Sequence, residues 1–163
     1  MKTTTLLINN SINHLPSRCS LIFISLVLTC AFLPRIGAVT PAPDGGYPGG
    51  NTAEGDNALF NLASGVDNTA LGFDALLSNT AGNFSTAVGF DALFHNTTGS
   101  QNTATGVNAL IGNTTGSFNT ANGYAALFSN TGDYNTGTGC EALSSNTTGV
   151  SNTADGFQAL ASN

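Results

Sequence analysis

From Asn51 onward, apolar and polar residues follow one 17-letter sentence, Asn-Thr-Ala-x-Gly-x-x-Ala-Leu-x-x-Asn-Thr-Thr-Gly-x-x, written seven times over. The copies begin at Asn51, Asn68, Ser85, Asn102, Asn119, Asn135 and Asn152. Each step is 17 residues except one of 16, where Asn130-Thr131-Gly132 lacks a Thr. Letters are numbered 1 to 17 within each copy, starting from the Asn (Ser85 in the third). A strict short period means a stack of near-identical coils, in which each unit buries its apolar face only against its neighbours. Such a stack makes an extended surface or spacer rather than a pocket built from unique residues.

The Asn-Thr-Ala-x-Gly segment is short, carries a Thr and stops at Gly. It predicts a strand pairing in parallel with the same segment one coil away, about 4.8 Å along the axis, and seven of them make a rod of roughly 30 Å. Gly recurs at position 5 in every copy, Gly72, Gly89, Gly106 and Gly123 among them, which points to positive φ or to close backbone approach between coils. A second Gly, at position 15, reads as a turn. The Ala-Leu pairs at positions 8 and 9, such as Ala75-Leu76, Ala92-Leu93, Ala109-Leu110 and Ala126-Leu127, stack into a continuous apolar stripe, the predicted core. Asn at positions 1 and 12 is expected to stack on itself, with side-chain amides hydrogen-bonded along ladders as in cross-β assemblies.

The Gly-x-x-Ala-Leu-x segment leaves two readings open. Phe73, Leu76 and Leu77 have the i, i+3, i+4 spacing of one helical turn. A strand would instead place Phe73, Ala75 and Leu77 on one face and push Leu76 outward. The fold class is therefore all-β, a parallel β-solenoid or β-roll of 17-residue coils, with a second short strand or one helical turn per coil.

Residues 1–38 carry a different pattern, that of a secretory signal. A weakly basic start (Lys2, Arg18) precedes an apolar run from Leu21 to Leu33, Pro34 breaks it, and Ile36-Gly37-Ala38 offers a cleavage site. The run is short for a membrane span, which needs about 20 residues, so no stable span is expected after cleavage and the chain is expected to be exported. Residues 39–50 form a Pro/Gly linker, and 51–163 are the repeat array. Charge follows the same division. All three cations lie in the first 35 residues and all nine acids lie from Asp44 onward, leaving an acid-only array with no cation to neutralise phosphate, which excludes nucleic-acid binding. Cys19 and Cys30 leave with the signal. Cys140, alone and at position 6 where other copies carry Phe73, Phe90, Val107, Tyr124 and Phe157, reads as a small core filler.

The units Asn68-Thr-Ala-Leu-Gly, Ser85-Thr-Ala-Val-Gly and Asn102-Thr-Ala-Thr-Gly resemble the Ser-x-Ala-x-Gly cores of YadA-like head repeats in trimeric autotransporter adhesins of Gram-negative bacteria. The longer 17-residue form is similar to repeats in tail-fibre-like bacterial surface proteins. The likeness covers residues 51–163. It implies a left-handed parallel β-roll, a homotrimer, and adhesion to a host or matrix surface from the outer cell surface. The family's repeat is shorter, nearer 14 residues, and its stalk and membrane barrel have no counterpart here. The chain stops at Asn163, twelve residues into its seventh copy, and so reads as a fragment of a longer fibre or as a free secreted solenoid.

Candidate chemistry is sparse, and no catalytic residue, cofactor or metal ligand set is predicted. Asp74 and Asp91 share position 7 in adjacent copies, but the other copies place Asn57, Asn108, Ala125, Glu141 and Gln158 there, and a calcium ion wants six to eight oxygens. A solvated acidic face is the expectation. His95, the one His in the array, has no partner arrangement of the kind a catalytic His needs. The Thr column at position 2 is expected to hydrogen-bond between coils. Its use as an ice-binding row is disfavoured because only Thr103/Thr105 and Thr136/Thr138 form the Thr-x-Thr pair. Asn96-Thr-Thr, Asn113-Thr-Thr and Asn146-Thr-Thr match the glycosylation sequon. The expected function is non-catalytic multivalent contact, the alternative a structural spacer or tail-fibre segment without a ligand.

Overall fold

The computed structural model describes residues 47–163; the expected signal segment and the first part of the linker lie outside them. The described chain winds into a parallel β-solenoid. Its seven strands, β1 (Thr52–Glu54), β2 (Thr69–Leu71), β3 (Thr86–Val88), β4 (Thr103–Thr105), β5 (Thr120–Asn122), β6 (Thr136–Thr138) and β7 (Thr153–Asp155), pair in sequence order. Each pairs in parallel with the next and with zero slip, so Thr69 sits on Thr86 and Ala70 on Ala87. The stack of strands is about 29 Å long at the usual interstrand spacing. Residues 47–50 cover the start of the first coil: Tyr47 bridges Asn51, and Asp67 N–H donates to Gly49 C=O at 2.8 Å.

The segment after each strand is neither helix nor strand. It is a chain of three linked tight turns. In the second coil, N–H to C=O bonds close Ala75 onto Gly72, Leu77 onto Asp74 and Asn79 onto Leu76. Asp74 and Leu76, the third residues of the first two turns, have φ of 56° and 51°, as a turn of type II requires. The i, i+3, i+4 spacing of Phe73, Leu76 and Leu77 is therefore not that of a helical turn, and among the described residues no helix occurs. Backbone groups in these turns also bond between coils. Leu76 N–H donates to Ala92 C=O (3.0 Å) and Leu93 N–H to Ala109 C=O (3.0 Å), while Gly89 N–H donates the other way, to Leu71 C=O (2.8 Å). Every coil is thus tied to its neighbours by its main chain, which satisfies backbone groups that a buried turn would otherwise orphan.

Position-5 glycines need both freedoms the sequence suggested. Gly89 has φ of 138°, and a Cβ there would lie 2.5 Å from Gly106 O. The position-15 glycines differ: Gly99 is not at positive φ, and its constraint is space, because a Cβ would collide with Asn96 Oδ1 and Gly116 O.

The core is as narrow as the repeat predicts. Ala75, Leu76, Ala92, Leu93, Ala109, Leu110, Ala126 and Leu127 are fully buried, as are the strand alanines 70, 87, 104 and 121. Flanking this apolar column run two buried Asn ladders. At position 12, Asn96 Nδ2 donates to Asn79 Oδ1 (3.0 Å) and Asn113 Nδ2 to Asn96 Oδ1 (3.0 Å). At position 1, Asn68 Nδ2 donates to Asn51 Oδ1 (3.0 Å) and Asn119 Nδ2 to Asn102 Oδ1 (3.2 Å). These amides also donate to position-15 carbonyls, as Asn68 does to Gly82 O (2.9 Å). Such paired donors and acceptors let a fully buried polar side chain avoid the desolvation cost of an unpaired one.

Candidate functional site

The inward letters are consumed by the scaffold, so any contact surface is built from the outward ones. Position 6 follows the Gly bend, and the sequence reading of it as core is corrected by the structure. Phe73, Phe90, Val107, Tyr124 and Phe157 are 42–73 % exposed, and Cys140, smaller, is partly buried in the same column. The reason is geometric: the Gly at position 5 turns the chain outward, and the Ala and Leu of positions 8 and 9 already fill the interior. Phe73 and Phe90 stack with centroids 5.3 Å apart and planes at 8°. The same happens at position 17, where Phe118 and Tyr134 stack at 4.8 Å and 7°. In each pair one ring face turns to the other along the column.

The position-7 side chains explain the acids. Asn57, Asp74, Asp91 and Asn108 all have φ between 54° and 60°, a region in which Asn and Asp are several-fold enriched. The Asp pair thus follows from backbone geometry. Asn57 Nδ2 donates to Asp74 Oδ1 at 2.9 Å, whereas Asp91 Oδ1 is buried without a partner. Burial, then the neighbouring charge of Asp74, push the Asp91 carboxyl above the usual range, with His95 acting in the opposite sense. His95 itself is exposed, its ring edge-on to Phe94 at 4.6 Å. Among the described residues, no three His, Cys, Asp or Glu side chains converge as a metal site would need, and no helix is long and apolar enough to cross a membrane.

Two further columns behave differently from their sequence reading. Among the described residues, the position-2 hydroxyls make no protein hydrogen bond; that column is held by main chain, as Thr69 N–H to Ser85 C=O (2.8 Å) shows. The inter-coil hydroxyl bonds belong to position 13, where Thr80 and Thr97 Oγ1 donate to Thr97 and Thr114 C=O at 3.0 and 2.9 Å. The sequon asparagines 96, 113 and 146 are the ladder residues themselves, at most 2 % exposed, so the folded chain offers none of them to a glycosylating enzyme.

A cavity of about 400 Å³ opens at the start of the stack, lined by Tyr47, Pro48, Leu59, Phe60 and Leu62 among others. Its lining carries no ionisable group besides Tyr47, whose phenol burial and Glu54 hold above its ordinary pKa. No family model, curated protein or solved structure matches the chain.

Proposed function

We propose that the chain is a non-catalytic repeat scaffold, exported to the outer surface of a bacterial cell as part of a homotrimeric fibre, that makes multivalent contacts with a host or matrix surface. The observation that carries this reading is the division of labour within each coil. Apart from the Thr letters, the repeated letters are spent on the solenoid interior, and those Thr side chains stand outside with the variable letters in columns of one-strand pitch, bearing hydroxyl, aromatic and acidic groups. A weak contact made once per coil gains from every further coil, because each later contact forms at a high effective concentration. The YadA-like likeness of the Asn-Thr-Ala-x-Gly units supports the same reading.

The test is retention of the full chain, expressed with its own N-terminal segment and recovered as the cell processes it, on immobilised collagen, fibronectin and a mixed glycan panel. Retention on at least one surface, released by excess soluble coating material, is expected. Absence of retention on all three removes the adhesive role and leaves a spacer.

A further inference from the structure

Four consecutive coils present an unbroken apolar column at position 6, namely Phe73, Phe90, Val107 and Tyr124, each 42–52 % exposed, and Leu71 adds to it at the end of β2 with 36 % exposed. No acid stands in this stretch of the column; Asp56 lies before it in the first coil. Rings of this size present 150–250 Å² when fully exposed, so half-exposed side chains give an apolar strip of roughly 400 Å². That is as large as the largest apolar patch of a typical soluble monomer.

We propose that this position-6 column is the face through which copies of this chain pack side by side. The inference rests on the multi-copy fibre proposed above and names the surface that holds it together. Three observations select a second copy as the occupant. First, the column repeats at the strand spacing, about 4.8 Å. Only a partner with that same pitch keeps its side chains in register over four coils, and a second copy has it by construction. Second, the array carries acids but no Lys or Arg, so two copies repel wherever their acids face each other; position 6 itself is uncharged over these four coils, with Asp74 and Asp91 beside it at position 7. Third, a stable pair buries about 800 Å² on each partner. The strip supplies about half of that as apolar centre, leaving the flanking Thr and Asn side chains of positions 2 and 4 to supply the polar rim.

Sedimentation velocity of the full chain, expressed with its own N-terminal segment, compares the unaltered protein with Phe90→Glu, Tyr124→Glu and, at position 10 outside the strip, Phe128→Glu. The unaltered chain and Phe128→Glu are expected at the same multiple of the monomer mass. The two strip variants are expected to associate at least tenfold more weakly, with unchanged circular dichroism because both side chains are exposed. Association is also expected to strengthen as salt rises and screens the acid repulsion. The proposal is overturned if the strip variants keep the unaltered mass, if salt weakens association, or if the unaltered chain is monomeric at about 0.1 mM, a concentration at which any contact near 8 kcal/mol is populated. Retention on a coated surface by a chain that proves monomeric would strike this inference and spare the contact function. Assembly without retention would do the reverse.

Discussion

Leucine at positive φ is uncommon, yet every coil carries one: Leu59, Leu76, Leu93, Leu110, Leu127, Leu143 and Leu160 all lie between 50° and 54°. The left-handed region costs an L-residue about 1–2 kcal/mol. The return is visible at each interior site, where the side chain is buried and the N–H bonds to the next coil's Ala carbonyl. Burial of a Leu side chain contributes about 1.5–3 kcal/mol, enough to hold the strained backbone. Two residues depart from their columns, and both give predictions. Ser85 interrupts the first Asn ladder: its backbone N–H still donates to Asn68 Oδ1 (3.0 Å) and its Oγ accepts from Asn102 N–H (3.3 Å), but it has no side-chain amide to give Asn68. Ser85→Asn should restore the ladder and stabilise the fold by about 1 kcal/mol for each bond gained, read as a higher midpoint in denaturant unfolding. Asp91 is the other. A carboxyl whose pKa is raised on folding favours the folded state below its unfolded pKa, and that advantage is lost as pH rises through the folded value. Asp91 is raised in this way by burial and by Asp74. Asp91→Asn is therefore expected to raise Tm at neutral pH, and the gain should vanish at about pH 3, where both side chains are neutral.

At the scale of the coil, glycine decides where the chain can bend. Gly89→Ala would place a methyl group 2.5 Å from Gly106 O at a φ of 138°. It should destabilise by about 3 kcal/mol or more from strain and overpacking. Gly137, by contrast, occupies the strand position that is Ala in every other copy, and its φ is ordinary. A Cβ at Gly137 would lie 3.1 Å from Ala142 O and 3.2 Å from Leu127 Cγ. A gain of about 0.5–1 kcal/mol in chain entropy is therefore offset by the shift those neighbours must make. Gly137→Ala is expected to change stability by less than about 1 kcal/mol, and thermal unfolding beside Gly89→Ala shows the contrast. The strands, core stripe and Asn ladders were legible in the sequence because the period itself places like on like, so a repeated Asn or Ala-Leu can only meet its own kind. The linked turns were not legible: positive φ at Leu is against its propensity and is held only by contacts from the neighbouring coils. Position 6, read as interior through Cys140, was misread for a related reason. Apolar letters signal the interior only when there is room for them, and the small Ala-Leu core has none. The shortened fifth coil shows how closely the interior depends on the period. With one Thr missing, Asn130 Nδ2 keeps the bond to its own coil's Gly132 O (2.8 Å) but makes none to Asn113 Oδ1, which is left without a partner, and Asn135 Nδ2 crosses between ladders to Asn130 Oδ1 (3.0 Å).

Across the whole molecule, nearest-neighbour bonding makes the rod a sum of its coils. No residue of the described chain is assembled into a unique centre, although the groups within each outward column vary, position 6 running from Asp56 through Phe73, Phe90, Val107, Tyr124 and Cys140 to Phe157. The central claim that follows is that contact is distributed along the rod. Its most direct test is surface retention, on whichever coated surface holds the full chain, of variants lacking residues 102–118 or 85–118. These are whole-coil deletions that leave the period unbroken. The account predicts folded, shorter rods whose residence time falls in steps with each coil removed. Abolition of retention by the single-coil deletion, with the sheet signal intact, would place the contact in one local site and contradict it.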